Sequence, residues 1–158
     1  MFEKKILELL LSREFLYVAT CDRDLRPNVA PKFLLEIEDN YIYLVDYIIG
    51  RTYKNLKINS KVSISIMDLE SLTGYQLNGI AQVIEEGAEY KKCLKEFTEK
   101  EVGLSATRVI EGVEKGKGHK NFEVVISENA VIFKIRIEEV IEIAPQGAVK
   151  RQTIKGDK

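Results

Sequence analysis

The chain has 158 residues, enough for one domain with a buried core, and 45% of them are hydrophobic, which is typical of a globular protein. Its 24 Lys and Arg residues are balanced by 25 Asp and Glu residues, which gives a formal net charge of −1 and excludes the positive field of a general nucleic-acid binder. The N-terminus shows no signal-peptide pattern, and no apolar run approaches the roughly 20 residues that cross a bilayer, so we expect a cytoplasmic protein without a membrane partner.

The first third of the chain predicts one helix and three strands. Residues 2–12 carry apolar side chains at helical spacing, which indicates a short amphipathic helix. Pro31 lies inside a β-rich run and removes one donor from the hydrogen-bond ladder, so we expect an edge or a bulge there. The strands that the apolar runs predict, separated by polar turns, are residues 15–21, 28–37 and 41–47.

The middle of the chain predicts a short helix followed by two strands. The helix is expected over 52–59, with Thr52 as its N-cap. Residues 61–69 alternate apolar and polar side chains, the pattern of a half-buried strand. A longer strand is expected over 74–86, where Gly79 indicates a bulge or a sharp bend.

The last third predicts a helix and a closing hairpin. A helix is expected over 88–100, a second helix over 105–114 is left open, and strands are expected over 121–127 and 130–143. Residues 146–158 are polar and are expected to form a partly mobile tail of a single domain spanning 1–158. Short antiparallel strands with a few helices indicate a small closed barrel.

Cysteine and histidine are too scarce to carry metal or triad chemistry. The two cysteines, Cys21 and Cys93, are far apart and predict neither a disulfide framework nor a zinc site. The only histidine, His119, lies in a stretch rich in Gly and Lys, which is typical of a solvated loop side chain. A histidine-based metal site and a hydrolase triad are therefore not expected.

The segment 50–55, Gly-Arg-Thr-Tyr-Lys-Asn, predicts an anion site. It lies between a strand and a short helix, whose N-terminus offers unpaired backbone N–H groups. Arg51 can hold two phosphate oxygens through its planar guanidinium, and Thr52 adds a hydroxyl donor. An ordinary capped helix on a solvated surface remains the alternative.

Two charged residues in apolar strands are further candidates. Lys32 is either an edge-strand lysine whose amine reaches solvent or a cation that faces a polar ligand. Asp46 is either a turn former or a polar contact in a ligand cleft.

Four stretches in a fixed order resemble the pyridoxamine-phosphate-oxidase-like family of FMN-binding split barrels. They are LYVATCDRDLRPNVAPKF, LVDYIIGRTYKNL, INSKVSISI and GYQLNGIAQV. The resemblance implies a fold that is mainly β with helices, built on a six-stranded antiparallel split β-barrel. It also implies a homodimer with flavin mononucleotide (FMN) in clefts at the subunit interface.

The resemblance also assigns site residues. It implies that Arg51 and Thr52 hold the FMN phosphate and that Asn55 lies near the phosphate and the ribityl chain. The positions that it places along the flavin ring, on three strands, are Pro31, Lys32, Asp46, Tyr47, Tyr75 and Gln76. No catalytic acid or base is identifiable.

One departure from the family argues against vitamin B6 oxidation. True pyridoxamine-phosphate oxidases carry a C-terminal segment with arginine and histidine, and usually tryptophan, that grips the substrate. This chain has no Trp, and its tail IAPQGAVKRQ lacks the pattern. The substrate is therefore expected to be another small molecule.

Three functional interpretations follow. The first is an FMN-dependent oxidoreductase, with a reduced nicotinamide or a deazaflavin-type cofactor as the electron donor. The second is a non-catalytic module that carries electrons or holds FMN or haem. The third, a barrel that binds nucleic acid, is disfavoured by the neutral charge and by the lack of an aromatic and basic stripe.

Overall fold

The structure, a computed structural model, describes residues 2–47, 49–114 and 130–154. The helices in these ranges are α1 (Lys4–Leu11), α2 (Arg51–Leu56) and α3 (Gly87–Glu114). The strands are β1 (Phe15–Cys21), β2 (Pro27–Glu38), β3 (Tyr41–Asp46), β4 (Lys61–Asp68), β5 (Thr73–Ile84), β6 (Val131–Ile143) and β7 (Val149–Thr153).

Six strands form a closed barrel in the order β3-β2-β1-β4-β5-β6, and neighbouring strands are antiparallel throughout. The pairing of β3 with β6 closes it. One edge of the long strand β6 serves two partners, because residues 131–136 pair with β3 and residues 139–143 pair with β7, outside the barrel. The predicted fold, mainly β with helices and a six-stranded antiparallel barrel, is confirmed.

Alternation along the strands decides which side chains fill the barrel. In β4, Val62, Ile64 and Ile66 are buried, whereas the residues between them are partly or fully exposed. Helix α1 adds Ile6 and Leu10 to the same apolar cluster. Each such side chain stabilises the fold by about 1.5–3 kcal/mol when it is removed from water.

A second apolar cluster lies outside the barrel, under α3. Phe33 of β2 and Val45 of β3 face outward and are fully buried together with Phe97 of α3. The rings of Phe33 and Phe97 meet edge to face, with centroids 5.3 Å apart. This packing holds α3 against the part of β2 and β3 from which the candidate site extends.

Helix α3 is one continuous helix, whereas the sequence predicted a helix over 88–100 and left open a separate one over 105–114. No proline interrupts the run, and Gly103 costs a helix interior only about 1 kcal/mol. No helix in the described ranges is both long and apolar enough to span a membrane. The strand predicted over 121–127 lies outside the described residues.

Two irregular positions agree with their sequence predictions. Pro31 pairs with Tyr17 of β1, whereas the pairing of β2 with β3 begins only at Phe33, so the proline lies on a free edge. At Gly79 the register of β5 against β6 shifts, and a Cβ atom there would collide with the carbonyl oxygen of Arg136. The bulge therefore requires glycine.

The expected polar tail contains a strand that the sequence did not indicate. Residues 149–153 are exposed throughout but pair with β6. Ile154, the residue that follows, is buried in the barrel cluster. Backbone pairing to an already formed strand edge, which side-chain pattern does not reveal, accounts for the difference.

Candidate functional site

A cleft opens where β2 and β3 diverge. Their ladder ends at the pair Phe33–Val45, and the chain continues from β3 into α2, so a space remains between α2 and the first half of β2. The cleft has a volume of about 340 Å³, within the range of small-molecule sites. Six of the nine predicted site residues line it: Pro31, Lys32, Asp46, Tyr47, Arg51 and Thr52.

A buried ion pair lies at the inner end of the cleft. The Nζ atom of Lys32 is 2.7 Å from Oδ1 of Asp46, and their side chains are only 8% and 2% exposed. On β2, the side chain of Lys32 lies on the same face as that of Leu34. On β3, the side chain of Asp46 lies on the same face as that of Leu44, which pairs with Leu34. The pair therefore bridges β2 and β3 just beyond the last backbone pairing. This burial excludes the solvent-reaching lysine of the sequence analysis.

The second carboxylate oxygen of Asp46 remains available. Oδ2 is buried and has no hydrogen-bond partner in the described part of the chain. Buried polar atoms are almost always hydrogen-bonded, because an unsatisfied one costs about 1–3 kcal/mol. A ligand N–H or O–H group that entered the cleft would satisfy this oxygen.

Thr52 does not cap α2, which corrects the sequence prediction. Gly50 occupies the N-cap position, and Thr52 is the second helical residue, 1% exposed. Its Oγ1 accepts a hydrogen bond from Nδ2 of Asn28, at 3.1 Å. The N-cap therefore lies two residues earlier than predicted, and the threonine side chain contacts β2 instead of capping the helix.

Asn55 lies beside the cleft wall rather than in it. Its side chain is 5% exposed, and Nδ2 donates to Oγ1 of Thr20 on β1, at 3.0 Å. This bond ties α2 to the barrel and holds Thr52, one helical turn earlier, in place.

Arg51 provides the positive charge at the outer end. It is the first residue of α2 and is exposed, and no ion pair engages it among the residues that the structure describes. The first backbone N–H groups of a helix also lack intrahelical partners. Guanidinium, hydroxyl and amide donors therefore converge at this end of the cleft, an arrangement suited to a phosphate.

Tyr47 links the cleft to α3. Its ring stacks on Phe97, with centroids 6.2 Å apart and an interplanar angle of 15°. Burial raises the pKa of the Tyr47 phenol, and the negative charges of Glu101 and Asp46 raise it further. The side chain thus presents a neutral aromatic wall.

Sequence analysis missed three residues that surround the site. Glu101 is 4% exposed, and its Oε2 has no partner within the described ranges; it lies one helical turn after Phe97, the last residue of the apolar stripe. Thr20 and Asn28 face inward on β1 and β2, at the same parity as core residues. The signal that could have found these residues is a polar side chain at a position where the periodicity of the element predicts a buried one.

Two predicted residues lie away from this cleft. Tyr75 is 5% exposed and belongs to the barrel cluster, where Nζ of Lys5 lies 5.7 Å from its ring centroid. Gln76 is on the outer face of β5, and its Nε2 donates to Oδ1 of Asn78, at 3.0 Å. Neither side chain lines the cleft.

Several known proteins are similar to this chain. An uncharacterized protein of Methanocaldococcus jannaschii, MJ0282, is 32% identical over 89 residues, which are 54% of this chain and 58% of that protein. A solved structure from Clostridium acetobutylicum, related to general stress protein 26, has a TM-score of 0.69 at 15% identity and covers 95% of this chain and 92% of its own.

Two further solved structures share the fold but differ in ligand. An FMN-binding, pyridoxamine 5'-phosphate oxidase-related protein of Nostoc punctiforme has a TM-score of 0.57 at 12% identity, with coverages of 97% and 96%. HutZ, a heme-storage protein of Vibrio cholerae, has a TM-score of 0.58 at 20% identity, with coverages of 86% and 89%. At these identities the likeness shows the fold alone.

The family assignment rests on the sequence match. The family profile described as pyridoxamine 5'-phosphate oxidase matches residues 2–144, which include all six barrel strands. The chain therefore belongs to the pyridoxamine 5'-phosphate oxidase family.

Proposed function

We propose that the cleft between β2 and α2 binds FMN and that the protein is a flavin-dependent oxidoreductase. The observation that carries this proposal is the distribution of charge along the cleft: an exposed guanidinium at its outer end and a buried ion pair with one open carboxylate oxygen at its inner end. FMN has a matching shape, with a dianionic phosphate at one end and a ring with a polar edge at the other.

The outer end would hold the phosphate. Arg51 can bind two of its oxygens through parallel N–H groups, a geometry that a lysine cannot reproduce. The hydroxyl of Thr52 adds a donor, and Asn55 keeps α2 in place through Thr20.

The inner end would hold the ring. Asp46 Oδ2 would accept a hydrogen bond from a ring or ribityl donor, while Oδ1 of the same carboxylate is paired with Nζ of Lys32. Pro31 and Tyr47 provide apolar walls, and they exclude water from one side of the ring. When bound, FMN supplies the hydride- and electron-transfer chemistry, and the protein supplies position and electrostatics.

We further propose a homodimer in which a second copy completes the site. Four paired residues on neighbouring strands form one uncharged row on the outer face. In the strand order β2, β1, β4 and β5, they are Pro31, Tyr17, Ser65 and Gln76. Tyr17, Met67 and Leu69 expose 59%, 46% and 70% of their surface on or beside a groove of about 450 Å³. Twofold pairing of this face would bury it and would bring Gln76 toward the partner's cleft.

The first test is a titration of the purified protein with FMN, riboflavin and hemin, followed by absorption and by flavin fluorescence. Saturable binding of FMN, and its reduction by a reduced nicotinamide or deazaflavin, would support the enzyme. FMN that binds but accepts electrons only from dithionite would favour the electron-carrier module. Binding of hemin without binding of FMN would contradict the proposal and favour a heme-holding role.

The dimer has its own test. We expect light scattering to give twice the mass of the chain, and Tyr17→Arg to give a monomer with weaker FMN binding, because it places a charge in the middle of the proposed interface. Val149→Arg is the matched control, because Val149 is 57% exposed on β7 and does not line the groove, and it should remain dimeric. A monomeric wild-type protein with full FMN affinity would contradict this part of the proposal.

A further inference from the structure

Four polar side chains form a network at the cleft, which two of them, Asn28 and Thr52, line directly. Nδ2 of Asn28 lies 3.1 Å from Oγ1 of Thr52 and 3.5 Å from Oγ1 of Thr20. Nδ2 of Asn55 donates to the same Thr20 oxygen, at 3.0 Å. Thr20, Thr52 and Asn55 are 6%, 1% and 5% exposed, so the bond from Asn55 to Thr20 is buried, and the two contacts of Asn28 are partly buried.

The fold brings the four together from separate segments. Thr20 and Asn28 are directly opposite each other in the β1–β2 pairing. Thr20 follows the inward-facing Leu16 and Val18, so both polar side chains point to the mouth of the barrel. Helix α2 covers that mouth with Thr52 and Asn55, which lie three positions apart on one helical face.

The direction of each hydrogen bond follows from the chemistry of the groups. An asparagine Nδ2 atom can only donate, whereas a threonine hydroxyl donates one proton and accepts at its lone pairs. Because the Thr52 oxygen accepts from Asn28, its own proton cannot point toward Asn28. Thr52 lines the cleft and donates no hydrogen bond to another described residue, so a ligand in the cleft can accept that proton.

We propose that Asn28 and Thr20 are positioning residues that orient the Thr52 hydroxyl as a donor to the ligand phosphate, and so make the cleft select FMN over riboflavin. This inference rests on the proposed FMN site. Asn28 acts on the hydroxyl directly, and Thr20 acts by holding Asn28 and, through Asn55, the helix that carries Thr52. Neither residue needs to touch the cofactor for this effect.

The test compares the affinities for FMN and riboflavin, which differ only in the phosphate. We expect Asn28→Ala to lower FMN affinity about tenfold, the effect of one hydrogen bond to a charged group, and to leave riboflavin affinity within about twofold. Thr20→Val should act in the same direction with a smaller loss. Retained riboflavin binding shows that each variant is folded.

A double variant distinguishes the orientation of the Thr52 hydroxyl from other causes of weaker FMN binding. In a Thr52→Val background the hydroxyl is absent, so adding Asn28→Ala should cause no further loss of FMN affinity. Asn59→Ala is the matched control, because this asparagine follows α2 and donates to Sγ of Cys21, outside the network. It should bind both flavins like the wild type.

The possible outcomes distinguish a failure of this inference from a failure of the proposed FMN site on which it rests. A wild-type protein that binds neither flavin would refute the FMN site, and the inference with it. If the wild type binds FMN, the inference alone fails when Asn28→Ala keeps the preference for FMN, when it weakens both flavins equally, or when it acts equally in the Thr52→Val background.

Discussion

Asp46 and Glu101 are both almost fully buried, and each has one carboxylate oxygen without a hydrogen-bond partner in the described part of the chain, but their surroundings differ. Asp46 lies at the mouth of the barrel with Nζ of Lys32 at 2.7 Å. Glu101 lies on α3, one helical turn after Phe97, and no cation pairs with it among the described residues.

The difference between the two carboxylates is whether a cation lies beside them. The attraction of Lys32 offsets the cost of removing the Asp46 charge from water. Without such a partner, burial raises the pKa of Glu101. The barrel mouth thus contains a buried ion pair, whereas Glu101 is buried without a cation in the described part of the chain.

The largest expected effect breaks the ion pair. Lys32→Met leaves Asp46 buried without its cation, and we expect the free energy of unfolding to fall by about 3–5 kcal/mol, measured by urea denaturation. The double variant Lys32→Met/Asp46→Asn should recover most of this loss, because no uncompensated charge remains. A loss below about 1 kcal/mol in the single variant would show that the two charges are not coupled as the structure places them.

A smaller effect should distinguish FMN binding from folding stability at the mouth of the barrel. Arg51→Ala removes an exposed guanidinium that forms no ion pair within the described ranges. The free energy of unfolding should therefore change by less than about 0.5 kcal/mol. FMN binding, measured by fluorescence titration, should weaken by about 1.5–3 kcal/mol, the scale of a charge-assisted hydrogen bond. The matched control is Arg23→Ala, in the turn between β1 and β2 and away from the cleft. Unchanged FMN affinity in Arg51→Ala would remove the phosphate site.

The smallest effect depends on pH and tests the region under α3. Because the pKa of Glu101 is raised in the folded state, the unfolded chain loses this proton first as pH rises above the ordinary value of 4.5. Wild-type stability should therefore decline relative to Glu101→Gln as pH increases above that value, with a slope of at most about 1.4 kcal/mol per pH unit.

Urea denaturation at several pH values measures this slope. Glu99→Gln is the matched control, since Glu99 is an exposed glutamate on the same helix and should give a difference that does not vary in this way. If the difference between wild type and Glu101→Gln stays constant with pH, Glu101 is ionised in the folded protein and the contrast with Asp46 fails.

The pattern of neighbouring residues in the sequence was sufficient to predict most of the fold. The strand β1 was predicted with the bounds that the structure has, and the alternation in β4 identified its buried face. Gly79 was predicted as a bulge because a glycine inside a strand often marks a bulge or a close approach of two backbones. These features depend on neighbours in sequence, which is why a single chain reveals them.

The errors share one cause, which is contact between segments distant in sequence. Thr52 was predicted as an N-cap, but its partner is Asn28, 24 residues earlier. The strand β7 has no apolar alternation and exists through pairing with β6. Helix α3 continues past Gly103, and Leu104 packs against the cluster formed with β2 and β3, a contact that local propensity does not signal.

The sequence by itself determined the local features of this protein, which are the alternation, the turns and the bulge at Gly79, and it predicted an anion site in the segment 50–55. Only the tertiary structure decided that Lys32 and Asp46 form a buried pair, that six predicted residues line one cleft and that Tyr75 lies in the core. The physical reason is that periodicity reports which face of an element is apolar, whereas a site depends on distances between elements that only barrel closure sets.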